Sequence, residues 1–314
     1  MQGIAPGNGR AQSESTRTGP VGPDTITQVM FGSSEFRATL AQLDTYLDAA
    51  PRTGADAIEV GPFTMFVHRG PWGYYARPGS HRGPNHHFTS TEVETVLAAQ
   101  RERGENESLE WVHDVDSSLA DACEGAGLRV VYRPLLTIDA STFDPVPHDS
   151  PEFPTQVLDL DHPQLPMHRS VAHVAFRHAG TQVGTAGATD RDAAPYDEAA
   201  VAWAIERSRL GHTIAVAAFD PVGGMVGVGS AQPVIDPTSN ICAAELTGIA
   251  VLPTHRRRGI AGSITSALIT ECAARGIQSV LLSAQDDDVA RVYERVGFRR
   301  VGTFAEAAPN VHQA

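Results

Sequence analysis

The chain is poor in cysteine, in net positive charge and in long apolar runs, and each shortage excludes a class of protein. Its three cysteines show no metal-binding or redox spacing, which is typical of a reduced, cytoplasmic protein. No apolar run approaches the roughly 18 residues of a membrane-spanning helix. The formal net charge of −13 argues against nucleic acid as a partner, because phosphate backbones require a basic surface.

The remaining composition is that of a globular protein. Hydrophobic residues make up 41% of the 314 residues and charged residues 19%, which is enough for two domains with cores of ordinary size. The first 22 residues differ, because glycine, serine, threonine, glutamine and proline dominate them. We expect a disordered segment there, without a signal peptide. The acidic charge is compatible with a cationic substrate and equally with solubility alone.

Residues 245–263 carry the most specific pattern in the chain. The apolar run Leu246–Leu252 predicts a buried strand, which Pro253 ends. A glycine-rich turn then opens a helix, and the backbone N–H groups at such a corner are left unpaired. Together with the positive end of the helix dipole, these groups suit a phosphate. The turn and the first helical residues are Arg256, Arg257, Arg258, Gly259, Ile260, Ala261, Gly262 and Ser263.

A second pattern lies about 25 residues further on, in the segment 287–298. Its valines and Tyr293 recur at i, i+3, i+4 and i+7, which predicts one apolar stripe on a short helix. Gly297 is placed to end that helix, and Phe298 to begin the next strand. Taken alone, Tyr293 would be read as an ordinary core aromatic side chain.

The two patterns together resemble the signature segments of the GNAT superfamily of acyl-CoA N-acetyltransferases. The first reads Val251-x-Pro253 followed by Arg256-x-x-Gly259-x-Ala261, and the second reads Tyr293-x-x-x-Gly297-Phe298. The resemblance covers roughly residues 155–305. It implies an α/β fold of the α+β kind, in which helices flank a mixed, mostly antiparallel sheet. It also implies acetyl-CoA as the cofactor and no metal.

The resemblance further implies roles for individual residues. Tyr293 would donate a proton to the departing thiolate, which an ordinary phenol pKa of about 10 suits. Glu245 matches the base of some protein-acetylating members, and partial burial would raise its pKa; the alternative is a solvated carboxylate at the strand entry. Asp287 stands where many relatives have asparagine. The implied acetyl-CoA contacts are Ile249, Ala250, Val251, Arg256, Arg257, Arg258, Gly259, Ile260, Ala261, Gly262, Ser263 and Asp287.

The front half of the chain repeats the end of this pattern, which predicts an internal duplication. Residues 119–129 align without a gap on residues 289–299, and their apolar positions match. We therefore expect a tandem arrangement of two GNAT-like domains, of which the second is complete. The predicted divisions are 1–22 (disordered), 23–140 (degenerate domain), 141–155 (proline-rich linker), 156–305 (catalytic domain) and 306–314 (tail).

Two differences between the halves place the chemistry in the rear half. Cys123 aligns with Tyr293, so the front half lacks the proton donor that the family uses. The corresponding front helix begins after Thr89, which forms a capping-box pattern with Glu92. These two side chains would occupy the helix N–H groups that the rear half leaves open.

Two other groups of residues in the front half have alternative interpretations. His81, His86 and His87 lie in a loop rich in glycine and proline. Exposed loop histidines are a simpler explanation than a metal site, because no cysteine or carboxylate completes the set. The segment Trp72–Ala76 is predicted to be a strand, and its aromatic side chains would pack in the core or line a substrate groove.

The sequence thus predicts an enzyme that transfers an acetyl group from acetyl-CoA to a primary amine of a small molecule, such as an antibiotic or an amino metabolite. The acceptor site is expected among the helices of residues 165–210 and the loop 232–243. A cytoplasmic monomer or homodimer that binds neither nucleic acid nor membrane is expected. The alternatives are an acyl-CoA decarboxylase and a non-catalytic acyl-CoA-binding module on the same fold.

Overall fold

The computed structural model describes residues 34–83, 85–145, 152–159, 165–178 and 180–310. The segment expected to be disordered, residues 1–22, lies outside the described residues, as does part of the predicted linker. From residue 38 onwards the described chain belongs to one compact unit. No helix among the described residues is long and apolar enough to cross a membrane.

The front half begins with a long helix and alternates strands with two shorter helices. Its elements are α1 (Ser34–Arg52), β1 (Ala55–Val60), β2 (Phe63–His68), β3 (Arg77–Pro78), α2 (Ser90–Glu102), β4 (Leu109–Val112), α3 (Ser118–Gly125), β5 (Leu128–Asp139) and a 3-10 turn (Ala140–Thr142).

The rear half has the element order that the sequence predicted: strand, helices, hairpin, strand, helix, strand, helix and strand. Its elements are β6 (Thr155–Val157), α4 (Leu165–Phe176), α5 (Ala188–Ala193), α6 (Glu198–Arg209), β7 (Ile214–Asp220), β8 (Gly224–Asp236), β9 (Ile241–Val251), a 3-10 turn (Pro253–His255), α7 (Ile260–Ala274), β10 (Ser279–Ser283), α8 (Asp287–Glu294) and β11 (Arg299–Pro309).

Eight strands from both halves form one sheet, in the order β4-β11-β5-β10-β9-β8-β7-β6. The front strand β5 lies between two rear strands and pairs antiparallel with both β10 and β11. Strand β11 in turn pairs antiparallel with the front strand β4. Only β9 and β10 pair in parallel within this described sheet, so the sheet is mixed and mostly antiparallel, as expected. The interleaving of strands from the two halves was not predicted.

The smaller sheet, β1-β2-β3, shows one wrong prediction. Residues 72–75 form no strand; an isolated bridge joins Ala76 to Leu109, and β3 follows at Arg77. Pro71 and Gly73 flank the first aromatic residue, and such residues disfavour a regular ladder. At the other end of the chain, β11 continues to Pro309, so residues 306–309 are strand and not the predicted tail.

The two halves match at the ends of corresponding helices, as the alignment predicted. Gly127 and Gly297 both have left-handed backbone, with φ of +82° and +118°, and each leads into the following strand. Gly104 and Gly276 also correspond, with φ of +72° and +79°. Left-handed glycines are usual where a helix ends, so the same local device recurs at equivalent places.

Strand β8 is the centre of the rear core. Met225–Gly229 is buried without alternation, which means that both faces of the strand are covered. Helices α4 and α7 both pack on β8 and β9. A Cβ atom on Gly227 would lie 2.8 Å from Ile260, so the glycine allows the beginning of α7 to approach the sheet closely. This packing fixes the position of the α7 N-terminus.

Candidate functional site

Strand β9 bends at a bulge and then leaves its parallel neighbour. Between Val228 and Ser230 the register with β8 shifts, and Gly248, on the bulged strand, has φ +65°. Strand β10 pairs with β9 only as far as Glu245, opposite Leu281. Among the described residues, 246–251 therefore make no ladder bonds to β10. The structure thus contains the opening between strands in which the family resemblance expects the pantetheine arm, at Ile249–Val251.

The turn before α7 presents backbone N–H groups, as the sequence predicted. Gly259 is the N-cap residue with φ +80°, and no side chain caps the helix. Arg257 also has left-handed backbone, with φ +64°, which is uncommon for a residue with a side chain. Such turns curl successive N–H groups toward a common point, and the helix dipole adds positive potential there.

The sequence predicts that Arg256 directs its charge at the turn, but its side chain points elsewhere. Its Nη2 donates to the backbone oxygens of Ala175 at 2.9 Å and His178 at 2.7 Å, and its Nε donates to Val251 O at 3.2 Å. A guanidinium whose donors are directed at carbonyl oxygens is a structural tie. The Arg256 side chain joins the end of α4 to the strand that leads into the turn, and its predicted contact with the coenzyme stays a prediction.

The other residues of the turn divide into exposed and inward-facing ones. Arg257 and Arg258 are exposed; Arg258 pairs with Glu152 at 2.7 Å and lies 4.2 Å from the centre of the Phe153 ring. Ser263 is buried, and its hydroxyl lies 3.5 Å from Gly259 O. Ile260 packs in the core, while Ala261 and Gly262 are small and only partly buried.

The corner before α7 fits the diphosphate of acetyl-CoA. An uncapped helix N-terminus, two left-handed turn residues and small residues at the first turn make a cradle that a diphosphate fits. Two exposed arginines lie beside it, and the unpaired edge of β9 leads away from it. The residues present at this corner therefore fit the diphosphate of the coenzyme.

Tyr293 lies on α8 and is buried, with 8% of its surface exposed. Its ring meets Phe298 edge-on, with 6.0 Å between the ring centres. Burial raises the pKa of Tyr293 to about 12, above the ordinary value that the sequence interpretation assumed. The phenol is therefore protonated at any physiological pH.

Asp287 begins α8 and is exposed. Its carboxylate pairs with Arg300 at 2.6 Å, so it is already engaged by a cation. A second carboxylate at the helix start, Asp286, caps the helix by accepting the N–H of Val289 at 2.9 Å. The predicted coenzyme contact of Asp287 therefore competes with an ion pair that the structure contains.

Glu245 lies within β9, two residues before Thr247. Burial, together with the nearby charge of Glu110, raises the pKa of Glu245 to about 8 against the opposing charge of Arg77. Arg77 is itself buried and pairs with Glu110 at 2.7 Å. The direction of this shift is the predicted one, and Glu245 lies inside β9 as a half-buried side chain, not at the entry of the strand.

The hydroxyl of Tyr46 bridges strands β8 and β9 beside Glu245, where a direct backbone hydrogen bond would otherwise form. This contact was not predicted from the sequence. The hydroxyl donates to Gln232 O at 2.6 Å and accepts the N–H of Glu245 at 2.9 Å. Gln232 and Glu245 are direct partners across β8 and β9. The ring is fully buried, and burial together with the charge of Glu245 raises the pKa of Tyr46 well above its ordinary value. Helix α1 thereby fixes the backbone at Glu245.

A cavity of about 450 Å³ lies among α4, α6 and the strands β7–β9. Its wall includes Thr247 and Gly248, at the bulge where β9 leaves β10. This is the part of the chain where the acceptor site was expected, and Trp72 of the front half also lines it. Neither Glu245 nor Tyr293 is part of the wall.

Two lining residues on α4 were not singled out from the sequence. His168 Nε2 lies 3.3 Å from Gly229 O, and burial lowers the pKa of His168 to about 4, so its imidazole is neutral. The guanidinium of Arg169 lies 5.0 Å from the centre of the Trp72 ring. One signal was available: both residues stand near the start of the predicted helix 165–178, where the acceptor site was expected.

The histidine loop of the front half has local partners. His81 Nε2 lies 2.8 Å from Gly61 O, and His86 Nε2 lies 3.1 Å from Glu92 Oε1. The part of the chain that the structure describes contains no group of three or more histidine, cysteine or acidic side chains that could hold a metal ion.

Comparisons with known proteins agree with this architecture. Residues 238–306 match the FR47-like protein family, whereas no curated protein matches the chain at a significant level. A GCN5-related N-acetyltransferase from Kribbella flavida is 18% identical, with TM-score 0.63, over 86% of this chain and 95% of that one.

Two further solved structures are similar. A GCN5-related N-acetyltransferase-like protein from Streptococcus suis has TM-score 0.52 at 14% identity, over 90% of this chain and 96% of that one. A tandem GNAT protein from the clavulanic acid biosynthesis pathway has TM-score 0.51 at 14% identity, over 78% and 77% of the two chains. At these identities the likeness concerns the fold. The chain therefore has the fold of the GCN5-related N-acetyltransferases, with its FR47-like match in the segment that holds the glycine turn and Tyr293.

Proposed function

We propose that this protein is an acyl-CoA-dependent N-acyltransferase that uses acetyl-CoA to acetylate a primary amine of a small molecule. The observation that carries the proposal is the uncapped N-terminus of α7 at Gly259, next to the edge of β9 that pairs with no other described strand. The cavity at Thr247 and Gly248 begins at the same bulge. A coenzyme site and an acceptor site would thus meet at one point of β9.

In this proposal the chain binds the coenzyme largely through its backbone. The N–H groups at Gly259–Gly262 would hold the diphosphate, with Arg257 and Arg258 adding positive charge at the rim. The free edge at Ile249–Val251 would pair with the pantetheine arm, and an N–H near Val251 would face the thioester oxygen. When bound, acetyl-CoA would supply the activated acyl group.

Two side chains would handle the protons. Glu245, with a pKa of about 8, would accept the amine proton, through water because it does not line the cavity. At pH 7 only about one tenth of such a group is ionised, so raising the pH through 8 increases the active fraction. Tyr293, whose pKa is about 12, would stay protonated and direct its O–H at the departing thiolate. Because a thiol is the stronger acid, the O–H would stabilise the thiolate by a hydrogen bond as the C–S bond breaks, and the phenol would regain from solvent any proton that it delivers.

The wider predictions form part of the same proposal. The front half would be a GNAT-like unit that binds no coenzyme, with residues 141–155 joining it to the catalytic unit. The protein would work in the cytoplasm as a monomer or homodimer. Decarboxylation of an acyl-CoA and coenzyme binding without catalysis remain the alternatives, because both could use the same corner.

The experiment combines calorimetry with a thiol-release assay. We expect one CoA bound per chain, and thiol release from acetyl-CoA that depends on an added amine. Thiol release or loss of CO₂ from malonyl-CoA without an amine would favour decarboxylation. Binding without thiol release across an amine panel would favour the non-catalytic module, and absence of binding would overturn the proposal.

The role of Glu245 is tested by its pH profile. The wild-type kcat/KM should rise with pH through about 8, because the base must be ionised. Glu245→Gln should lose that step and fall by about a hundredfold, while it keeps any step that belongs to the amine itself. An unchanged profile in the variant would remove Glu245 from the mechanism.

A further inference from the structure

The cavity beside the bulge is lined by a cationic side chain although the chain as a whole is acidic. Arg169 lines it, together with His173 and the neutral His168. None of the lining residues that the structure describes is an aspartate or a glutamate. Since the formal net charge is −13, this composition does not follow from the average surface. A cationic substrate, which the overall charge would suit, has no carboxylate partner among these lining residues.

Arg169 is the group best placed to bind a ligand. It is exposed at the cavity, and its guanidinium carbon lies 5.0 Å from the centre of the Trp72 ring. Asp197 acts on it electrostatically, but it forms no ion pair with Arg169, and that carboxylate already accepts the N–H of Ala199 at 2.8 Å. A guanidinium stacked on an aromatic ring is held in one plane and keeps its N–H fork available.

The other arginine near the cavity is occupied, in contrast to Arg169. Arg207 is buried and donates to Gln232 Oε1 at 2.9 Å and to Thr53 Oγ1 at 3.0 Å. Gln232 reaches Thr247 in turn. The donors of Arg207 are thus used by oxygens of the protein itself, whereas Arg169 has no ion-pair partner among the described residues and keeps donors available to a ligand.

The remaining wall is largely apolar. Leu158, Leu165, Ala172, Phe176 and Val201 line the cavity together with Trp72. A volume of about 450 Å³ lies within the range of small-molecule sites. A ligand that fits such a wall has an apolar or aromatic body, and one charged group of it can reach Arg169.

We propose that the acceptor is an amine that also carries an oxyanion, a carboxylate or a phosphate, on an apolar or aromatic body, and that Arg169 on Trp72 recognises the oxyanion. Acetylation of that amine rests on the proposed function, whereas recognition of the oxyanion does not. The pairing is bidentate for either anion. Polyamines and other polycations are excluded as preferred acceptors.

The first test measures binding without catalysis. N-acetylphenylalanine is titrated against its amide by calorimetry, and benzyl phosphate against benzyl alcohol, to distinguish a carboxylate from a phosphate. At least one anion should bind about tenfold more tightly than its neutral partner, or better. Arg169→Gln should abolish the preference and Arg169→Lys should keep part of it.

The matched control is Arg177→Gln, which removes the same charge just beyond the end of α4 from an exposed residue outside the cavity wall. It should leave the preference intact. Equal affinity for anion and neutral partner in the wild type would overturn the proposal, and so would a preference that survives in Arg169→Gln.

The second test separates this inference from the proposed function. Thiol release is compared for phenylalanine, phenylalaninamide and spermidine. We expect the amino acid to be preferred, and Arg169→Gln to raise its KM about tenfold with little change in kcat. Efficient acetylation of spermidine or the amide alone would overturn the inference and leave the acyltransferase proposal standing. Anion binding that depends on Arg169, without thiol release from any amine, would support the cavity assignment and contradict the transferase.

Discussion

Two helices at equivalent places in the halves, α2 and α7, begin in opposite ways. At α2, Thr89 Oγ1 accepts the N–H of Glu92 at 3.3 Å and the Glu92 carboxylate accepts the N–H of Thr89 at 2.8 Å. At α7, Gly259 occupies the N-cap with φ +80° and offers no side chain. The capping box predicted at Thr89 is confirmed. One helix caps its own first turn with side chains, and the other has no side-chain cap.

The comparison shows two opposite uses of the same backbone groups at aligned places in the two halves. A capping box stabilises a helix by using its free N–H donors, whereas an anion site must keep those donors free. The next helices of the two halves, α3 and α8, also differ. Cys123 on α3 is fully buried and aligns with Tyr293 on α8. Local stability and ligand binding therefore compete for the same backbone groups.

The largest effect should come from closing the α7 corner. Gly259→Leu places a side chain in left-handed backbone at the cradle, which strains the turn and moves its N–H groups. We expect CoA affinity, measured by calorimetry, to fall by at least about a hundredfold.

Gly276→Leu is the matched control for this change. Gly276 follows the same helix at its other end and has φ +79°, so the backbone strain is similar while the cradle is untouched. The two variants should lose similar stability, and only the first should lose affinity. Intact CoA binding in Gly259→Leu would remove the contrast between the two helices.

A smaller effect is expected at the second difference between the halves. Tyr293→Phe keeps the ring in the core but removes the proton donor, so turnover in the thiol-release assay should fall about tenfold or more, with CoA affinity unchanged. Cys123→Ala, at the equivalent front position, should leave turnover as it is. Equal turnover in the wild type and Tyr293→Phe would show that the tyrosine only packs.

The smallest effect should come from opening α2. Thr89→Ala removes one capping bond and should lower the free energy of unfolding by about 1 kcal/mol, measured by denaturant titration. Calorimetry should still give one CoA per chain. Thr89 has extended backbone, with φ −121°, so the start of α2 does not have the left-handed N-cap that at α7 would direct N–H groups toward a diphosphate. A second bound CoA would show that capping alone silences the front half.

Local features of this chain could be predicted from its sequence. The helix start at Gly259, the cap at Thr89 and the glycine ends of helices depend on residues a few positions apart, whose preferences are set by backbone sterics. A strand was predicted at Leu246–Leu252, and the structure has a longer one, Ile241–Val251. The prediction was too short because the polar Glu245 interrupts the apolar pattern on which it was based. The raised pKa of Glu245 followed from its place on a buried strand.

The features that were missed depend on distant parts of the chain. Nothing near Tyr46 in sequence indicates that its hydroxyl enters a ladder some 186 residues away, and an aromatic residue on an amphipathic helix is ordinarily core. Arg256 fitted a phosphate motif, but its side chain donates to the carbonyl oxygens of Ala175, His178 and Gln182. The aromatic residues in the segment 72–75 gave the pattern of a strand, but this segment pairs with no described strand.

The position of β5 has a consequence for how this molecule can be divided. It is hydrogen-bonded on one edge to β10 and on the other to β11, so a truncated gene product beginning after the proline-rich segment would leave two strands with bare edges in solvent. The rear half, which carries the glycine corner, therefore depends on a strand of the front half to complete its sheet. Loss of the front half would remove a central strand from the sheet to which the glycine corner is attached.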